Sequence, residues 1–482
     1  MSCYTPLLSG IQEKSRSTVT ICNVLLTLFG FFLLFFWFSV VMGKQSSEEL
    51  DFVPILQPSE DMITYNALEK LRLTAVKESE ELRRNENQSD EVVITTTEEP
   101  KTETAATLFP AKTTTCDPAT CNSVSCGKRI VGYYNGWNNQ KLSENQFLKI
   151  THLVFAFMKI NENGTISFEN EEKKSLFLEM KEKAKEVNPG IKVMFSIGGL
   201  YNSEHFSKLV GNFKKRENFT ASIASFLEEY QFDGVDVFWK WPETKDKAHY
   251  IFFLRELRQK LQNLQNPGLL SIVTPSVGFE LMDGFHLNGI LKHVDFINVE
   301  TDKMNGKHGQ FTGAPSPLFS EIGEYKEFNV DWTMRHVACT TGRPNQINMG
   351  IPFYGRYWKG VQDSVEKGDE MWRTVETTGK SGVVFWRNLE SEGFKKDEST
   401  WHEESKTPFI WDSKDRLFLG YENEKSLKEK MQYTIEHNLG GLTIWTLEMD
   451  DDVNSLLEAV TENVECRGEE VNKNDVLYKC EN

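Results

Sequence analysis

The stretch FDGVDVFWKWP (232–242) combines two aspartates with residues ill suited to acid chemistry. Side chains of an extended segment alternate between two faces, so Asp236, Phe238 and Lys240 share one face and Asp233 precedes them. Carboxylates at such positions would act as a general acid and its helper. Here the row continues with a benzyl group and an ammonium. A lysine with an ordinary pKa of about 10.4 is poorly matched to a leaving-group oxygen near neutral pH. Burial lowers that pKa by a few units at most, and a neutral amine gives up no proton. Phe238 accepts no hydrogen bond, and Glu243 lies beyond Pro242, past the end of the strand.

These residues must be positioned by the elements around them. From residue 128 onward, short apolar runs alternate with amphipathic stretches. The runs are RIVGYYNGW (129–137), THLVFAFMKI (151–160), IKVMFSIGG (191–199), FDGVDVFW (232–239), LLSIVTPSV (269–277), VDFINVE (294–300), INMGIPFYG (347–355) and GLTIWTLE (441–448). Helix-like segments such as SLFLEMKEKAKEV (175–187) and ASIASFLEEYQ (221–231) separate several of them. Strand–helix alternation with nearly continuous apolar strands predicts a parallel sheet covered by helices. Eight such strands predict an α/β fold, a (β/α)8 TIM barrel over 128–465. A small α+β insertion, about 358–425, falls between strands seven and eight. The C-terminal strand ends of such a barrel form one mouth, which gathers Trp137, Gly198–Leu200, Phe238–Trp241, Glu300–Lys303 and Trp445–Glu448.

SIGG (196–199) followed by FDGVDVFWKWP is similar to glycoside hydrolase family 18, the chitinases and chitinase-like lectins, whose fourth-strand signature is DGxDxDxE. YYNGW (133–137), INVET (297–301), GIPFYGR (350–356), WHEESKTPFIW (401–411) and GGLTIWTLEMDDD (440–452) match further family motifs in order. The resemblance implies a signature glutamate that protonates the glycosidic oxygen. The substrate's own acetamido group then attacks, held by the preceding aspartate. That is a substrate-assisted variant of glycoside hydrolysis. Asp233 and Asp236 match the first two aspartates, Phe238 stands at the third and Lys240 at the acid. A charged Lys240 would also face a developing cation. The resemblance therefore implies a degenerate catalytic motif and no catalytic residues. It places Tyr133, Trp137, Phe157 and Trp445 on aromatic cleft positions, with Trp445 beneath the central sugar. Met-x-Tyr-Asp, usual at the end of strand six, is replaced by Glu300, Thr301, Asp302 and Lys303, and Leu200 replaces a common tryptophan. Acids on strand six opposite a new base on strand four predict that Lys240 pairs with Asp302 or Glu300. The expected ligand is chitin or a chitooligosaccharide, in a chitinase-like protein without hydrolysis. An active glycosidase with another acid, or an interaction protein with a vestigial cleft, are the competing readings.

The rest of the chain sets the context. It has 482 residues and a formal net charge of −17, which argues against a nucleic-acid partner on electrostatic grounds. Val19–Met42 is a charge-free run of 24 residues, long enough to cross a bilayer and too long for a cleaved leader. Lys14 and Arg16 precede it, and Glu48, Glu49 and Asp51 follow. This asymmetry predicts a signal anchor with residues 1–18 cytosolic and the barrel outside, a single-pass type II arrangement. Residues 43–127 contain a Thr/Glu-rich stalk too polar to fold alone, and 466–482 form a C-terminal tail. Six cysteines lie beyond the anchor (Cys116, Cys121, Cys126, Cys339, Cys466 and Cys480), which predicts disulfides without fixing their pairing. The spacing of the first three, with no nearby histidine, argues against zinc, so no metal or cofactor is expected. Asn87, Asn163 and Asn218 head glycosylation sequons.

Overall fold

Eight parallel strands close on themselves. In chain order they are Arg129–Tyr134, His152–Ile160, Lys192–Gly198, Gly234–Phe238, Leu269–Pro275, Phe296–Glu300, Ile347–Pro352 and Gly441–Trp445. Each pairs with its sequence neighbour, and the eighth pairs with the first in the register Arg129↔Gly441 to Gly132↔Ile444. The barrel predicted from the sequence is therefore present, in a computed structural model that describes residues 126–276, 283–305, 311–320, 327–365, 369–375, 380–462 and 472–480.

The alternation of side chains splits the core in two. Inward-facing Val131, Tyr133, Val154, Ala156, Met194, Phe238, Val273 and Phe296 fill the barrel. The outward-facing residues, among them Ile130, Tyr134, Phe155, Phe195, Val235 and Ile272, pack against the helices. Side-chain caps start those helices where the sequence allows. Ser143 opens Glu144–Lys149 with a capping box to Gln146, Asn170 opens Glu171–Val187, Asn212 opens Phe213–Glu229 and Asn423 opens Glu424–Glu436. At the far end of Val330–Thr341, Gly342 takes φ 62°, the left-handed conformation that closes the last turn.

The insertion departs from expectation. It is an antiparallel five-stranded sheet in the order Ser381–Phe385, Tyr354–Lys359, Leu417–Gly420, Thr407–Asp412, Thr400–His402. It starts at Tyr354, directly after the seventh strand, rather than near 358. Among the described residues its helical content is limited to the 3-10 turns Trp386–Asn388 and Lys396–Glu398, so it is not α+β. Its own small core holds Trp358, Val361, Met371, Trp372, Phe409 and Phe418. Cross-strand pairs of aromatics, such as Phe409 stacked on Phe418 at 5.6 Å, stabilise it without helices.

Cys339 and Cys480 form a disulfide, with a Cα–Cα distance of 5.6 Å, and Cys126 is also disulfide-bonded. The C-terminal segment is thereby tied to the helix Val330–Thr341. Tyr478 adds a hydroxyl–hydroxyl hydrogen bond of 2.9 Å to Tyr433. Val19–Met42, the stalk, Asn87, Cys116, Cys121 and Cys466 lie outside the described residues. Among the described residues no helix is long and apolar enough to cross a membrane.

Candidate functional site

Asp236 sits at the centre of the barrel with no exposed surface. Register explains its surroundings: Ser196 on strand three and Ser271 on strand five are its direct neighbours in the sheet. Both serine hydroxyls donate to its carboxylate at 2.7 Å, and the Tyr133 hydroxyl donates at 2.8 Å. Burial pushes the Asp236 carboxyl above its ordinary pKa, against the pull of these three donors. Behind Tyr133 the network continues through Asn298 (3.2 Å to the tyrosine oxygen), Asn348 and Thr443. The whole row is satisfied internally, as a buried polar network must be.

One layer nearer the mouth, Phe238 faces the cavity and meets Phe157 edge-on at 5.7 Å and Trp445 at 6.1 Å. Strand four ends there. The following turn is anchored to the SIGG loop: Gly199 N donates to the Phe238 carbonyl at 2.7 Å, and Lys240 N donates to Ser203 Oγ at 2.9 Å. Gly198 is required at this point. It takes φ +106°, and a Cβ would lie 2.2 Å from the Phe238 carbonyl oxygen.

Lys240 reaches across the mouth. Its Nζ lies 2.7 and 3.0 Å from the two carboxylate oxygens of Glu300, and 5.2 and 4.9 Å from the ring centroids of Phe238 and Trp241. Of the two partners expected from the sequence, the structure selects Glu300. A second ammonium, Lys303, also meets Glu300 Oε1 at 2.5 Å and sits 5.2 Å from the centre of the Trp445 indole. Burial would raise the Glu300 carboxyl, but Lys240 and Lys303 outweigh it and hold its pKa down at about 2. Glu300 therefore stays ionised and has no proton to donate near neutral pH. Burial lowers the Lys240 ammonium, and Lys303 adds to that, against the attraction of Glu300.

Asp302 is not Lys240's hydrogen-bond partner. It is buried, and the Tyr354 hydroxyl lies 2.7 Å from its carbonyl oxygen and 3.2 Å from its carboxylate. Burial, helped by Glu300, raises its pKa. Asp233 is turned out of the barrel and clips strands together: it accepts from Val193 N at 2.7 Å and pairs with Lys185 at 2.6 Å. Glu243 is exposed, paired with Lys245 at 2.8 Å, and takes no part in the mouth.

The aromatic positions divide in the same way. Tyr133 is 1% exposed, so it is a wall rather than a contact surface, with its ring 5.4 Å from Trp445. Phe157 is half-buried between Phe238 and Trp445. Trp137 is exposed, but one face is stacked on Phe385 of the insertion at 5.6 Å. Trp445 is partly exposed and lines the cavity with Phe238, Glu300, Asp302 and Tyr133. That cavity measures about 20 Å³, enough to admit a water-sized molecule, and it opens to the outside. Asn163 and Asn218 are both on the surface. In the first sequon Thr165 Oγ1 donates to Asn163 Oδ1 at 2.8 Å, and in the second Thr220 is buried in a helix.

Residues 129–450 match the family described as Glycosyl hydrolases family 18. The chain belongs to glycosyl hydrolase family 18. Among curated family members it is 28% identical to the human oviduct-specific glycoprotein over 347 residues, which is 67% of this chain and 50% of the relative. It is 26% identical to an endochitinase of Manduca sexta, over 67% of this chain and 64% of that protein. The chain thus spans about half to two thirds of the length of these relatives. Solved family 18 structures superpose over 69–70% of the chain. An immunomodulatory active chitinase from Trichuris suis does so with TM-score 0.62 at 23% identity, covering 99% of that chain. Human YKL-39, described as a pseudo-chitinase with retained chitooligosaccharide binding properties, does so over 69% of this chain and 98% of its own, with TM-score 0.61 at 23% identity.

Ser196, Ser271, Asn298, Asn348 and Thr443 are site residues that sequence reasoning passed over, although each is a polar residue inside an apolar strand at an inward position. Lys303 was legible as a neighbour of Asp302 but not as a second partner of Glu300. In the insertion, Asp369, His402 and Glu404 bring one ligand atom each within 4.8 Å of one another. His402 Nε2 lies 3.3 Å from Asp369 Oδ1, an imidazole–carboxylate pair.

Proposed function

We propose that this chain is a non-hydrolytic, chitinase-like protein that binds chitooligosaccharides or related N-acetylglucosamine glycans at its barrel mouth. The observation that carries the reading is the Lys240–Glu300 ion pair where family 18 chemistry needs a protonated acid. Neither member can serve. Lys240 is a cation facing the place where positive charge would develop, and Glu300 is held ionised by two lysines. Phe238 removes the acceptor that would orient an acetamido group. The retained, partly exposed Trp445 supports sugar binding, since the flat CH face of a pyranose packs on an indole. Binding without hydrolysis has a precedent in what is described for human YKL-39.

The test incubates the intact chain, purified in mild detergent, with chitotetraose. Tryptophan fluorescence and product release are followed in the same samples. Saturable fluorescence change with no shorter sugars is the expected result. Release of shorter sugars that disappears in Lys240→Ala would overturn the reading in favour of a glycosidase. Silence in both channels would leave a protein-interaction role.

The reading includes display outside a membrane, anchored through Val19–Met42 as a type II protein. In intact cells, a membrane-impermeant amine reagent is then expected to label the barrel without permeabilisation. Labelling only after permeabilisation would reverse the orientation.

A further inference from the structure

Two lysines share Glu300, but unequally. Lys240 bonds both carboxylate oxygens and its side chain is 15% exposed; Lys303 bonds Oε1 alone and is 35% exposed. If Lys303 leaves, Glu300 keeps a partner, so the departure strands no buried charge. If Lys240 leaves, the better-buried contact is lost. Of the two ammoniums, Lys303 is therefore the one free to move.

Its position gives that freedom a consequence. Lys303 Nζ lies over the indole of Trp445, 5.2 Å from its centre. A pyranose ring stacked on the indole has to rest within van der Waals distance of that face. It cannot do so while an ammonium group occupies that space.

We propose that Lys303 is a gate. Held over Trp445 by Glu300, it keeps the aromatic platform closed, and a sugar ring binds only from the fraction of molecules in which Lys303 has swung away. This rests on the glycan-binding reading above and adds the residue that regulates it. A closed resting state lowers the apparent affinity in proportion to the open fraction. Because the latch is an ion pair with a partly exposed member, higher ionic strength weakens it and raises the open fraction.

The experiment compares the intact wild-type chain with Lys303→Ala and Lys303→Met, titrating chitotetraose at low and high salt. Acrylamide quenching of Trp445 is measured alongside, as the difference from a Trp445→Phe background. Lys303→Ala is expected to tighten binding on the order of fivefold to tenfold, to abolish the salt dependence and to increase Trp445 quenching. Lys303→Met, which keeps the bulk but loses the latch to Glu300, is expected to fall between. Equal affinity in wild type and Lys303→Ala would overturn the gate and leave the glycan reading standing. No binding by any form, with increased quenching in Lys303→Ala, would support the gate and refute the glycan reading. No binding and unchanged quenching would refute both.

Discussion

Glu300→Ala is expected to destabilise the fold by about 3–5 kcal/mol, the range for removing one partner of a buried ion pair. The loss should exceed that of either lysine alone, because Glu300 is the only carboxylate hydrogen-bonded to Lys240 and Lys303 among the described residues. Removing it leaves two ammoniums at the barrel mouth with only the buried Asp302 nearby. Denaturant titration of Glu300→Ala, Lys240→Ala and the double variant checks this. The double variant should recover part of the sum, and strict additivity would show that the pair is not formed in solution. The same carboxylate makes a pH prediction. Its folded pKa of about 2 is depressed below the unfolded value of about 4.5, so its stabilisation is complete above that value. It is lost as pH falls from about 4.5 to about 2. The shift corresponds to roughly 3 kcal/mol, and the side chain is only 10% exposed, so screening by solvent removes little of it. Glu300→Gln should lack that acid-side slope.

Lys430→Met should have an effect of similar size at a site far from the mouth in chain order. Lys430, in the helix Glu424–Glu436, and Glu422, just after the last insertion strand, have no exposed side-chain surface and meet at 2.7 Å. Burial raises the Glu422 carboxyl and lowers the Lys430 ammonium, and the attraction between the two partners offsets part of each shift. Replacing the lysine alone strands a carboxylate and should cost about 3–5 kcal/mol. Lys430→Met with Glu422→Leu should return close to wild-type stability, since an apolar pair of similar volume needs no compensation. Thermal unfolding of the three proteins decides the matter. If the single variant unfolds like wild type, solvent reaches the pair.

These predictions separate what a charge does from where it lies, and only the second needed the fold. The order of apolar runs from residue 129 to 448 was enough to predict an eight-stranded barrel, because burial on both faces leaves strands that are hydrophobic throughout. Alternation within FDGVDVFWKWP also put Asp236 and Phe238 on the inner face, where they are found, and charge balance pointed to strand six as Lys240's partner. The choice between Glu300 and Asp302 was not legible. Two residues apart on an extended strand, they share a face by parity, and it is Tyr354, from the start of the insertion, that occupies Asp302. The clasp of Ser196, Ser271 and Tyr133 on Asp236 likewise depends on which rows of neighbouring strands fall level, a property of barrel register that no single strand carries.

What the sequence alone determined was which side chains stand at the positions of the family's signature: a phenylalanine, which accepts no hydrogen bond, and a lysine in place of the glutamate. What the tertiary structure alone decided was how the substituted groups are used. Side chains from strands four and six, some 60 residues apart, converge on one carboxylate, and a third element, strand eight, supplies the indole that Lys303 covers. Bond chemistry is a property of each residue type; distance between residues remote in the chain exists only after the barrel has closed.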